Sequence, residues 1–84
     1  MDIQRAVEDC IDAIFSDYSV HPSGAIVARK SGCEVRIYPK RVDGVLSHWG
    51  YEFTDRRGNT VVSADDLKHT QNMVHTIQKW AWSL

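Results

Sequence analysis

The clearest periodicity in the chain lies near its C-terminal end. Leu67, Met73, Val74, Ile77, Trp80, Ala81 and Leu84 fall within an arc of about 140° at roughly 100° per residue. Lys68, Gln71, Asn72, His75, Gln78 and Lys79 fill the rest of the circumference. Ser63 offers an N-cap, Asp66 three residues later makes an approximate capping box, and Asp65 and Asp66 suit the positive end of a helix dipole. The spacing therefore predicts a helix over Ser63 to Trp82. Trp82 departs from the pattern by projecting with His75 and Gln78 on the polar side. It reads either as part of a terminal turn, as a ring folded back over the core edge, or as an apolar anchor for a partner.

A second helical stripe runs from Asp2 to about Tyr18. Ile3, Val7, Cys10, Ile11, Ile14, Phe15 and Tyr18 share one side, with Arg5, Glu8, Asp9, Asp12 and Ser16 opposite. His21-Pro22-Ser23-Gly24 breaks it. Between the helices the period changes to two. Ala25 to Arg29 is a short apolar run, and Lys30-Ser31-Gly32 reads as a hairpin turn. Cys33, Val35 and Ile37 alternate with Glu34, Arg36 and Tyr38, and Pro39 ends that strand or places it at an edge. Lys40 to Gly44 is a connection carrying an Asp-Gly turn. Val45 to Thr54 is the longest strand, with Trp49, Tyr51 and Phe53 on one face and His48, Gly50, Glu52 and Thr54 on the other. Asp55 to Asn59 turns the chain into a short fourth strand, Thr60 to Val62.

The order is α-β-β-β-β-α with short links, which predicts an antiparallel meander. The expected fold is α+β: a two-layer sandwich, a four-stranded antiparallel meander with N- and C-terminal helices packed on one face. Eighty-four residues give a single domain over 1–84, and 43% hydrophobic residues supply its core without metal or disulfide staples. With no basic-then-apolar leader and no apolar run near a membrane span, a cytoplasmic location without membrane contact is expected. Cys10 and Cys33 both fall at apolar positions, as reduced thiols would.

The net charge of −1 conceals a division. Residues 1–28 carry −4, residues 29–57 carry +3, and the remainder is neutral. Alternate turns of a meander share an end of the sheet. That places Arg29 and Lys30 near Arg56 and Arg57, a cationic group suited to phosphate or to an acidic protein surface.

Catalytic chemistry finds little foothold. The four histidines and two cysteines show no zinc-type spacing, so no metal or other cofactor is expected. His48 and Glu52 share a strand face with Arg36 and Tyr38 opposite. A small ribonuclease site could use such residues, although cross-strand pairing explains them equally.

Helix, meander and closing helix is similar in order to a double-stranded-RNA-binding domain and to the small ribonuclease toxins built on that fold. Those domains carry a basic run where the second helix begins; here that position reads Ser63-Ala64-Asp65-Asp66, and neither function is carried over. In size and mixed charged surface the chain resembles single-domain accessory proteins of phages and mobile elements, including anti-CRISPR inhibitors of host machinery. The expectation is a non-enzymatic protein that binds a protein or protein complex. Its candidate contact residues are Arg29, Lys30, Arg36, Tyr38, His48, Arg56, Arg57 and Trp82. Nucleic-acid binding through the basic hairpin ends is the alternative, a small ribonuclease the third reading, and a homodimer fits any of them.

Overall fold

A computed structural model describes residues 3–84, with the side chains of Gln4 and Asp66 outside the description. The chain runs α1 (Ile3–Ile14), β1 (Asp17–Val20), β2 (Ile26–Lys30), β3 (Cys33–Val42), β4 (Val45–Thr54), β5 (Thr60–Leu67) and α2 (Thr70–Trp82). The sheet order is β1-β2-β3-β4-β5, antiparallel throughout. This is the expected α+β meander with five strands in place of four.

The extra strand comes from the end of the first helical stripe. Helical hydrogen bonding ends with Phe15 N–H donating to Ile11 O at 2.8 Å. Asp17–Val20 then pairs with β2, Tyr18 opposite Ala28 and Asp17 opposite Arg29. Ile14, Phe15 and Tyr18 satisfy a helical period, but an aromatic and a β-branched residue alternating with polar ones in Asp17–Val20 also suit an edge strand. Asp2, the expected start of the helix, lies outside the described residues.

Two further boundaries differ from expectation. β3 continues through Pro39 to Val42, so the connection to β4 shrinks to Asp43 and Gly44, both at positive φ (53° and 77°). Two such residues form the tight turn that matches strand twist. Pro39 is tolerated because β2 pairs with β3 only as far as Ile37, leaving no ladder on that side for a missing N–H to break. At the other end, Ser63 does not cap a helix. β5 runs on to Leu67, which pairs with Trp49, and α2 starts at Thr70 without a side-chain cap. A ten-residue β4 holds β5 as its partner over this stretch, and that pairing overrides the local capping signal.

Cross-strand rows build one apolar face. Ala28, Val35 and Phe53 form one row; Ile26, Ile37 and Tyr51 form the next. Val7 and Ile11 from α1, Phe15 just after it, and Met73, Ile77 and Ala81 from α2 complete a single buried cluster with these residues. Trp80 ties the layers together: its ring stacks on Phe53 (centroids 4.4 Å apart, planes 9° apart) and lies 6.4 Å from Phe15. Trp49 is buried as well, and its Nε1–H donates to Thr70 Oγ1 at 3.0 Å. The link joins the long strand to the first turn of α2.

Cys10 is half-buried and Cys33 buried, and both thiols are free. Among the described residues, no helix is long and apolar enough to cross a membrane.

Candidate functional site

The side chains singled out in the sequence occupy two places, one end of the sheet and its open face. The end is built by two turns and by the last turn of α2. Ser31 and Gly32 take positive φ (55° and 80°) to close the β2–β3 hairpin. In the β4–β5 turn, Asp55 Oδ1 accepts from the backbone N–H of Arg57 and of Asn59, each at 2.9 Å. The carboxylate thus holds the loop that presents Arg56 and Arg57. Arg56 Nε donates to Ser31 O at 2.7 Å, so the two turns do meet at one end as a meander requires. Its methylenes pack beside Gly32, where an added Cβ would sit 3.2 Å from Arg56 Cγ.

α2 joins this end through Lys30, whose ammonium donates to Ala81 O at 3.0 Å. A cation at the negative end of a helix is favourably placed. The next residue, Trp82, is 72% exposed, so the ring is not folded over the core edge. Nor is its turn loose: Ser83 N–H reaches Lys79 O and Trp80 O, and Ser83 Oγ donates to Trp80 O at 2.6 Å. An ordered helical turn therefore carries a bare indole next to the basic turns.

The four cations are not equivalent. Arg29 faces Asp17 at 4.0 Å and Glu34 at 3.2 Å, and Lys30 is committed to α2. Arg56 keeps part of its guanidinium free, and the side chain of Arg57 makes no hydrogen bond or ion pair among the described residues.

The open face holds Arg36, Tyr38 and His48 but does not join them into one constellation. Arg36 Nε donates to Glu34 at 2.9 Å, and this bond, with Tyr38 as second partner, raises the Arg36 pKa. Glu52 accepts from Thr60 at 3.0 Å. His48 shares a hydrogen bond with Ser47 at 3.1 Å and lies opposite Lys40, separated from Glu52 by Trp49, Gly50 and Tyr51 along the strand. At about 3.4 Å per residue, four positions put the backbones of His48 and Glu52 ~14 Å apart, and each side chain has a different hydrogen-bond partner. The His–Glu pairing considered for nuclease chemistry is not assembled. Among the described residues there is also no group of three or more metal-ligating side chains.

Three features escaped the sequence. Gly50 leaves a hollow of about 310 Å³ on the open face, walled by Tyr38, Glu52, Ser63 and Asp65, with Lys40 laid across it and its ammonium 5.7 Å from the Tyr38 ring centroid. A more apolar hollow of about 510 Å³ opens between the helices beside Val7, Cys10, Val74 and His75. The small side chains of Ala6 and Cys10 on α1 were its available signal. The third is the tip of the β3–β4 hairpin, where Val42 and Val45 face each other exposed at the far end of the sheet.

No protein-family model, curated protein or solved structure matches the chain.

Proposed function

We propose that this is a non-enzymatic binding protein that engages a protein or protein complex through the end bearing Trp82, Arg56 and Arg57. The observation that carries the reading is the bare indole of Trp82 on an ordered turn, two residues on from a Trp80 that is stacked against the core. Leaving so large an apolar ring in water forgoes burial worth roughly 1.5–3 kcal/mol for a large apolar side chain, and Trp and Arg are both enriched at interface hot spots. Leu84 adds a second exposed apolar residue at the same chain end. With Arg29 and Lys30 engaged internally, the free cationic surface is small for a phosphate backbone and adequate for an acidic rim around an aromatic anchor. A cytoplasmic setting and action as an inhibitor of host machinery, in the manner of phage accessory proteins, fit this reading.

Capture from a cell lysate, divided into nuclease-treated and untreated halves, tests it. The same protein complex should be retained from both halves by the wild-type chain and lost with Trp82→Ala. Recovery that depends on intact nucleic acid, and that fails when Arg56 and Arg57 become Glu, would move the site to the basic turns and the function to nucleic-acid binding.

A further inference from the structure

β5 forms one edge of the sheet, and among the described residues no strand lies beside its outer backbone. Edges of this kind are ordinarily blunted by charge, proline or a bulge. The first half of β5 has neither charge nor proline: it reads Thr60-Val61-Val62-Ser63, with Val61 55% and Val62 44% exposed, and its one such device is a bulge at Val61. Charge appears only at the two ends. Arg57 stands on the turn before the strand, and Asp65 near its finish. Neither side chain makes a hydrogen bond or ion pair among the described residues. Lys40 passes over Gly50 close to the Asp65 backbone, yet its ammonium is placed at the Tyr38 ring.

We infer that the β5 edge is a self-recognition surface that pairs antiparallel with β5 of a second copy of this chain about a two-fold axis at Val62. An edge that is positive at one end and negative at the other is self-complementary only in the antiparallel sense, where each copy's cation meets the other's anion. With Val62 on the axis, Val61 lies opposite Ser63, Thr60 opposite Ala64, and Asn59 opposite Asp65. Arg57 stands at the apex of the closed turn that precedes Thr60, at this same end of the edge. A long, exposed arginine side chain there is placed to meet the second copy's Asp65. The exposed valines are covered by the same act, and two five-stranded sheets become one. β5 has one residue more than β4 at two places, Val61 and residues 65–66; these bulges increase local twist and confine the regular ladder to the residues around Val62 and Ser63, so the dimer is weak and concentration-dependent. The inference does not rest on Trp82.

Sedimentation equilibrium over a wide concentration range tests it with a charge exchange. The wild-type chain should pass from monomer to twice the monomer mass, and added salt should raise the midpoint concentration severalfold. Arg57→Asp and Asp65→Arg should each remain monomeric, since each faces like charge with like. An equimolar mixture of the two should recover the dimer, because every facing pair is then opposite in sign. Both positions are exposed and unbonded, so far-UV circular dichroism should stay unchanged. If either variant misfolds, Arg57→Gln and Asp65→Asn replace the pair, each expected to weaken association severalfold. A wild-type chain that is monomeric at every concentration overturns the inference, as does a dimer indifferent to these substitutions.

Discussion

Trp49 Nε1–H is a donor inside an apolar layer, and Thr70 Oγ1 is its acceptor. Removing the hydroxyl while keeping the shape leaves that donor without a partner. Thr70→Val should therefore cost about 1–3 kcal/mol of stability, read by urea denaturation. Asp55 makes a comparable case at the surface, since one carboxylate oxygen satisfies two backbone N–H groups of its turn. Asp55→Ala should cost about 1 kcal/mol and loosen the loop that presents Arg56 and Arg57, seen as faster amide exchange at Arg57 and Asn59. Arg36 contributes no comparable switch. Its pKa is raised by Glu34, so any stabilisation is fully present below arginine's ordinary range and fades only at still higher pH. Stability between pH 6 and 9 should be flat with respect to this group.

At the scale of the element, α2 carries two tryptophans with opposite tasks. Trp80 stacks on Phe53 and closes the sandwich, whereas Trp82 faces water. Trp80→Ala should destabilise by about 2–3 kcal/mol, somewhat under the loss for a fully buried ring, and Trp82→Ala should lie within about 0.5 kcal/mol of wild type. Denaturation of both variants checks the contrast. Periodicity made this difference legible in advance, because Trp80 falls in the apolar arc and Trp82 outside it. The Asp-Gly turn and the alternation of Cys33 to Tyr38 were legible for the same reason: each is a local signal that the fold leaves in force. Boundaries decided by distant partners were not. Asp17–Val20 becomes a strand because β2 offers it an edge, and Ser63–Leu67 stays a strand because Trp49 holds Leu67 in register. Of the candidate site, the meeting of the two basic turns followed from meander geometry. The internal capture of Arg29 by Asp17 and Glu34, and of Lys30 by Ala81 O, depended on a fifth strand and on where α2 ends.

Across the whole molecule, the covered face of the sheet is spent on the core, and the remaining surface divides by chemistry. On the open face, Glu34 is shared between Arg29 and Arg36. The β5 edge is apolar at its centre and oppositely charged at its ends, a pattern that suits a second copy. The end with Trp82 combines an uncovered indole with two incompletely used arginines, the features on which the proposed protein interface rests. The most direct test of that assignment is a comparison of wild type and Trp82→Ala as baits in nuclease-treated lysate, with denaturation confirming equal stability. Loss of a retained protein complex on this one substitution, at unchanged stability, is the predicted result. Equal capture by both baits, or no protein retained once nucleic acid is removed, would contradict it.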